Sequence, residues 1–182
     1  MIKRMLKRFV SRLRGMKTVE QLIELGLTVG ENFNPQFGVE LDSSHCWLIT
    51  IGNNVTIAPH AQVLAHDAST CGYLGYAKIG RVNIGDNVFI GAGAIILPNV
   101  TIEDNVIVGA GAVVTHSLKS NAVYSGNPAI KICSLDEFKE KHMELMKTQP
   151  CYDEAYTLRN NISKEKKQEQ KRALSDGIGY VV

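Results

Sequence analysis

The chain has 182 residues, of which 45% are hydrophobic and 21% are charged, as in an ordinary soluble globular protein. This length accommodates one core domain with an appendage, and a second full domain is not expected. No apolar run approaches the roughly 18 residues that a membrane-spanning helix needs. Residues 1–17 also lack the continuous apolar stretch of a signal peptide. Together these features predict a protein of the cytoplasm.

The net charge is +2, but the basic residues are concentrated at the N-terminus. Residues 1–17 carry seven Lys or Arg and no acid, so the remainder has a net charge of −5. A nucleic-acid-binding protein would spread basic charge over its recognition surface, and nucleic acid is therefore not an expected partner. Apolar residues of the same segment recur at helical spacing and predict a basic amphipathic helix. Such a helix lies on the inner face of an anionic membrane as a peripheral contact, packs on the rest of the chain, or projects into solvent.

The four cysteines form no CxxC pair and no Cys/His spacing typical of zinc, and they are Cys46, Cys71, Cys133 and Cys151. We therefore expect free thiols in a reducing compartment and no metal requirement.

A six-residue repeat is the main signal of the sequence. Branched aliphatic anchors recur at Ile51, Ile57, Val63, Ile84, Ile90, Ile96, Ile102, Val108 and Val114. A second apolar residue follows four positions after most anchors, at Val55, Ala61, Val88, Ala94, Val100, Val106 and Ala112. In an α-helix of 3.6 residues per turn, anchors six apart would face different directions, so a helical interpretation fails.

The repeat fits a short strand and a bend per six residues, with three such units closing a triangular coil of about 18 residues. Ile84 would then stack with Ile102, and the anchors at 90 and 96 with those at 108 and 114. The bends contain small residues and Asn/Asp pairs, which tolerate left-handed backbone angles, at Asn53, Asn54, Asp86, Asn87, Asp104 and Asn105. The pattern predicts an all-β solenoid in which each coil pairs with its neighbours.

Three segments carry a family resemblance: IGNNVTIAPHAQV, IGDNVFIGAGAIILPNVTIEDNVIVGAGAVVT and SGNPAI. They resemble the hexapeptide-repeat acyltransferases, especially the maltose and galactoside acetyltransferase branch, which includes polysaccharide O-acetyltransferases. The resemblance implies a left-handed parallel β-helix and a homotrimer with active sites between chains. It also implies acetyl transfer from acetyl-CoA to a sugar hydroxyl or amine, in surface-polysaccharide biosynthesis. The domains expected are a basic helical region at 1–28, the β-helix at 29–132 and a C-terminal helical extension at 133–182.

One loop of the repeat is expected to carry the chemistry. The anchors Val63 and Ile84 are 21 residues apart, three more than a full coil, which predicts a protruding loop at 65–83. Acyl transfer to a hydroxyl needs a base near neutral pH, a role that suits imidazole. The resembled family has its catalytic histidine at the head of this loop, which is the place of His66. His60 is interpreted as a turn residue. A covalent route through Cys71 is the alternative, but nothing in the neighbouring sequence would activate that thiol.

The resemblance also implies where the substrates bind. The pantetheine arm of coenzyme A would follow the GAG turns, and its contacts would be Gly91, Ala92, Gly109, Ala110, Gly111, Thr115, His116 and Lys131. The same small residues are what tight turns require, and Ile130 stands where relatives often carry a basic residue. Asp42, His45 and Trp47 precede the first clear coil, on the acceptor side in related enzymes, and are predicted acceptor contacts.

Two other functions fit the same fold. A γ-carbonic-anhydrase-like metalloenzyme needs three histidines on one metal, but His60 and His66 have no evident third partner. A non-catalytic scaffold would have neither the loop nor its histidine. Among acyltransferases the acceptor stays open between a monosaccharide, a lipid-linked or polymeric glycan, a nucleotide-linked amino sugar and an antibiotic.

Overall fold

A computed structural model describes residues 17–182, so the predicted basic helix of residues 1–17 lies almost wholly outside the described residues. The described chain forms two compact units, one ending at Leu135 and the other running from Asp136 to Val182. None of its described helices is both long enough and apolar enough to span a membrane. The predicted domain boundaries and the membrane contact of the basic segment stay predictions.

The first unit is built from three sheets, named A, B and C, whose neighbouring strands are parallel except at one end of sheet B. Sheet A contains β1 (Thr28–Val29), β4 (Ile49–Ile51), β9 (Val82–Ile84) and β12 (Val100–Ile102). Sheet B contains β2 (Asn34–Pro35), β5 (Thr56–Ile57), β10 (Phe89–Ile90), β13 (Val106–Val108), β15 (Ala122–Ser125) and the antiparallel β16 (Ile130–Ser134). Sheet C contains β3 (Glu40–Leu41), β6 (Gln62–Val63), β11 (Ile95–Ile96) and β14 (Val113–Val114). The chain passes through A, B and C in turn and then returns to A.

The predicted inner ladders are confirmed. Ile84 pairs with Ile102 in sheet A, and Ile90 pairs with Val108 in sheet B. In sheet C, the anchors at 96 and 114 pair in the same way. All nine anchors and all seven second apolar positions are buried. Two inward side chains per six residues therefore form one continuous core between the three sheets.

A further coil precedes the first predicted anchor. Its strands β1, β2 and β3 pair in parallel with β4, β5 and β6. Pro35 is tolerated here because β2 is the outermost strand of sheet B, where a missing N–H need not break a ladder bond. Helix α1 (Val19–Glu24) comes before this coil, begins in a capping box between Thr18 and Gln21, and buries Leu22 in the core.

The three corners of the coil are named by the sheets they join, AB, BC and CA. The AB corner carries a ladder of five asparagines, all with φ between +55° and +57°. The side-chain amides of the first four donate to the asparagine oxygen of the next coil at 2.9–3.2 Å, along the series Asn32, Asn54, Asn87, Asn105 and Asn121. Asparagine suits this corner because it tolerates left-handed angles and can pair with its own kind.

The sequence predicted that the residues before three of these asparagines also adopt left-handed backbone angles, but their role is different. Asn53, Asp86 and Asp104 are absent from the residues with positive φ. Their side-chain oxygens instead accept a backbone N–H of the preceding coil at 2.7–2.8 Å. In each pair, the first side chain therefore binds the backbone of the preceding coil, and the second residue, an asparagine, turns the chain.

The second unit contains helices and a strand pair of its own. Helix α3 (Leu135–Met146) begins at the end of the first unit, and helix α4 (Lys164–Ala173) follows later. Strands β17 (Cys151–Tyr152) and β18 (Tyr180–Val181) pair in parallel. Both helices lie within residues 133–182, for which the sequence predicted a helical extension.

We expect Asn87→Ala to lower the free energy of unfolding by about 1–2 kcal/mol. Alanine is strained at a left-handed backbone angle and cannot form the side-chain hydrogen bonds of Asn87 that offset this strain. Asn87→Gly keeps the backbone angle and should lose less. Thermal unfolding at one protein concentration would compare the two variants. Equal losses in both would mean that the side-chain ladder, and not the backbone angle, dominates.

Candidate active site

The coil length changes at the CA corner. Equivalent residues are 18 apart between the third and fourth coils, as in Asp86 and Asp104, and 16 apart between the fourth and fifth, as in Asn105 and Asn121. They are 22 apart between the first two coils and 33 apart between the second and third. The excess residues, four and fifteen, follow β3 and β6 and therefore leave the coil at the same corner on consecutive levels.

The predicted loop is present, but its size was underestimated. Val63 and Ile84 lie in the neighbouring sheets C and A, so only six residues would separate them in an uninterrupted coil. The prediction compared the 21-residue spacing with a full coil of 18, which was wrong. Against the expected spacing of six, the insertion is fifteen residues long. The loop is thus large enough to hold structure of its own.

The loop begins and ends in a short antiparallel strand pair, β7 (His66–Asp67) with β8 (Lys78–Ile79). A 3₁₀ turn (Ala68–Thr70) and helix α2 (Cys71–Leu74) form its tip. Asp67 Oδ2 accepts from the Lys78 ammonium at 2.6 Å, and this bond is the main reason that the pKa of Asp67 falls to about 2. The base of the loop is therefore held by an intact ion pair at neutral pH.

The side chain of His66 meets a buried carboxylate. Asp42 follows β3 directly, and its side chain is 1% exposed, whereas that of His66 is 34% exposed. His66 Nδ1 is hydrogen-bonded to Asp42 Oδ2. The same oxygen accepts the Ala65 N–H at 3.0 Å, and Oδ1 accepts the N–H groups of Ser44 at 2.9 Å and His45 at 3.2 Å. Four donors thus converge on one carboxylate.

These donors decide the charge of Asp42. Burial is the largest single influence and raises its pKa, but the hydrogen bond from His66 and the backbone N–H groups of Ser44 and Ala65 together outweigh burial. The pKa of Asp42 therefore lies below the ordinary value. An ionised carboxylate only accepts hydrogen bonds, so Nδ1 of His66 donates to Asp42 and Nε2 is the ring nitrogen left for another partner. The carboxylate thus fixes the orientation of the imidazole.

Two more predicted residues join this pair. The ring of His45 lies 5.2 Å from the ring of His66, and the ring of Trp47 lies 5.2 Å from that of His45. Trp47 is 57% exposed. The structure thus brings the three predicted acceptor residues together with the predicted base, in a row of rings at the CA corner.

The same cluster contains groups that bind metals. Ligand atoms of Asp42, His45 and His66 all lie within 4.8 Å of one another. Both oxygens of Asp42 are already engaged by N–H donors, so a cation would have to displace the bond to His66. The donor set therefore favours a carboxylate and histidine pair over a metal centre.

His60 does not belong to this cluster within the chain. It turns the BC corner with φ of +61° beside Phe37.

The predicted coenzyme residues fall into three places within one chain. The GAG residues at 91–92 and 109–111 turn the BC corner. Gly91 has a packing reason to be glycine, since a Cβ there would lie 2.4 Å from Ala110 N. Thr115 and His116 follow β14 at the CA corner and are exposed. Lys131 lies on β16, at the end of sheet B.

The role of Asp42 beside His66 was missed in the sequence. The two residues are 24 positions apart and follow their strands at different distances. Recognising the first coil in the sequence would have revealed the contact. Leu41 pairs with Val63, and this register places Asp42 beside the residues just before His66.

Comparison with known proteins identifies the family. Residues 81–116 match the family model described as bacterial transferase hexapeptide (six repeats). Protein CapG of Staphylococcus aureus is 39% identical over 150 residues, which cover 77% of this chain and 84% of CapG. The chain belongs to the hexapeptide-repeat acyltransferases. The resemblance stated from the sequence motifs is therefore confirmed.

Solved structures of this family agree. The crystal structure of a maltose O-acetyltransferase from Clostridium difficile 630 is 42% identical, with a TM-score of 0.53, and the match covers 60% of this chain and 59% of that one. A Vibrio cholerae hexapeptide-repeat acetyltransferase, VCA0836, solved with acetyl coenzyme A, is 26% identical with a TM-score of 0.55 over 60% and 61% of the two chains. The chain thus spans about three fifths of these two proteins.

Asp42→Asn tests the buried carboxylate through stability. Because the folded pKa of Asp42 is depressed, its contribution is fully present above the unfolded value of about 3.9 and is lost as pH falls through the lower folded value. We expect the variant to unfold at a lower temperature than the wild type at pH 7. Its unfolding temperature should also fall less steeply toward pH 3.

The matched control is Asp86→Asn, since Asn53 already occupies the equivalent place in the preceding coil. It should unfold close to the wild-type temperature. An equal loss in both variants at pH 7 would contradict a special role of Asp42 in stability.

Proposed function

We propose that this protein is an acetyl-CoA-dependent acetyltransferase that modifies a hydroxyl or amine of a sugar, with His66 as its general base. One observation carries the proposal: the buried Asp42 carboxylate holds Nδ1 of His66, which leaves Nε2 of a half-buried imidazole as the acceptor of a proton. Similarity to a maltose O-acetyltransferase and to an acetyltransferase solved with acetyl coenzyme A supports the substrates.

The geometry supports direct transfer. The acceptor O–H or N–H gives its proton to His66 Nε2 while its oxygen or nitrogen attacks the thioester carbonyl carbon. The Asp42 carboxylate stabilises the imidazolium that forms. When the tetrahedral intermediate collapses, the C–S bond breaks and the leaving sulfur takes the proton from Nε2. The products are the acetylated acceptor and free coenzyme A.

Coenzyme A would bind along the turns that the sequence analysis named. The GAG turns offer small residues with backbone groups close to the surface, while Thr115 and His116 lie at the CA corner, two coils beyond β6. Lys131 would supply positive charge for a phosphate. A distance of two coils, roughly 10 Å at the usual strand spacing, is within the reach of an extended pantetheine arm.

The assembly we propose is a homotrimer of left-handed parallel β-helices. The catalytic pair lies at the CA corner and the GAG turns lie at the BC corner of the same chain. A neighbouring copy would place its BC corner against the CA corner of the first, so that one site uses residues of two chains. This arrangement accounts for both groups of predicted residues in a single active site.

Static light scattering tests this assembly. We expect a mass three times that of the single chain at micromolar concentration, because the shared site exists only in the oligomer. A monomer that still turns over acetyl-CoA would contradict the shared site.

The acceptor belongs, in our proposal, to surface-polysaccharide biosynthesis in the cytoplasm. The similarity to a maltose O-acetyltransferase favours a carbohydrate acceptor. A non-catalytic scaffold would have no reason to bury a carboxylate against a half-buried histidine.

His66→Ala tests the base. Removing it should lower kcat about a hundredfold or more, as expected for loss of a general base, while the KM for acetyl-CoA changes little. Turnover of acetyl-CoA would be followed as free thiol, against a panel of monosaccharides, disaccharides and nucleotide sugars. His60→Ala is the comparison variant and should lose far less activity, since His60 is a turn residue with φ of +61° whose ring packs against Phe37 and not against Asp42. Loss of activity in His60→Ala alone would remove His66 from its role, and wild-type protein that acetylates none of the panel would refute the proposed function.

A further inference from the structure

We propose that Trp47 is the surface on which a pyranose ring of the acceptor stacks, next to His45 and the base His66. This inference rests on the proposed sugar acetyltransferase function and adds the residue that selects a ring-shaped acceptor.

Trp47 lies in the four-residue excess of the first coil, at the corner that carries the base. The excess forms a 3₁₀ turn, Cys46–Leu48, between β3 and β4. The loop that begins with His66 leaves the coil at the same corner on the next level. Surplus residues on two consecutive levels thus form the walls of one site.

The backbone of Trp47 is firmly held. Cys46 is fully buried, and its thiol donates toward the carbonyl oxygens of Leu22 at 3.6 Å and Leu25 at 3.7 Å. Gly26 lies so close that a Cβ there would be 2.9 Å from Trp47 Cβ. The indole is therefore attached to a rigid turn that α1 supports. A surface ordered in advance costs little entropy when a ligand binds.

The ring itself is largely open, although its backbone is fixed. Trp47 is 57% exposed, and one of its neighbours is the ring of His45 at an interplanar angle of 49°. Large exposed aromatic side chains beside a few polar groups are typical of ligand sites. A pyranose has an apolar C–H face and polar hydroxyls at its rim, which matches a flat indole next to an imidazole. Two ring contacts of 5.2 Å separate the indole from His66, so a stacked sugar would reach the base with a rim hydroxyl.

Trp47 is the single tryptophan of the chain, so its fluorescence reports on this site alone. Methyl glycosides of glucose, galactose and N-acetylglucosamine would be titrated into the full-length protein, with glycerol as a ringless polyol control. We expect a saturable change of emission with at least one glycoside and none with glycerol. Emission typical of a buried indole, unchanged by every glycoside, would show that a second copy covers Trp47 and would overturn the proposal.

Substitutions provide the kinetic test. Trp47→Ala should raise the KM for the best sugar of the panel tenfold or more and leave the KM for acetyl-CoA within about twofold, as expected when only acceptor binding is lost. Trp47→Phe keeps an aromatic face and should recover most of the loss. Phe89→Ala is the control, because Phe89 is also an exposed aromatic residue, at 43%, but lies on strand β10 within sheet B and not at a corner.

The outcomes separate this proposal from the proposed function. Wild-type turnover on a sugar with an unchanged sugar KM in Trp47→Ala would overturn the stacking role and leave the acetyltransferase intact. Glycoside-dependent fluorescence without any acetyl transfer would uphold the stacking role and refute the enzyme.

Discussion

The parallel pairing of successive coils is the constraint on which the rest of the first unit depends. Each inner strand is bound on both sides by strands of the preceding and following coils, so every residue inside a coil has a set place and a set direction. Side chains that point inward must be small or branched and apolar, and those at the AB corner must turn the chain. Such a coil accepts additional residues only where a strand has ended.

That constraint explains where the site lies. The coils exceed 18 residues only where β3 and β6 end, and both excess segments leave through the CA corner. The first segment carries Asp42 and Trp47, and the second carries His66. Because consecutive levels are bonded strand to strand, the two segments lie next to each other, and a carboxylate from one meets the imidazole from the other.

Burial and hydrogen bonding then give the pair its chemistry. A carboxylate in an apolar interior is unfavourable unless donors compensate it. Here Ala65, just after β6, supplies one N–H, and Ser44 and His45, just before the 3₁₀ turn, supply two more, so Asp42 stays ionised beside His66. The same turn presents Trp47. In our proposal one short insertion thus both orients the base and selects the acceptor.

The sequence by itself determined the coil, its inner ladders, its loop and the family, because a six-residue period repeated over nine anchors has one structural solution and the motifs are specific. It also indicated His66, which stands at the head of the loop. Tertiary structure decided that Asp42 binds His66, that the loop insertion is fifteen residues long, and that the GAG turns lie at a different corner from His66. These facts depend on which residues share a level of the coil. Level is set by the summed length of all preceding corners. In the first coil Pro35 replaces the middle aliphatic anchor, between Val29 and Leu41, and this break hides the register from the sequence.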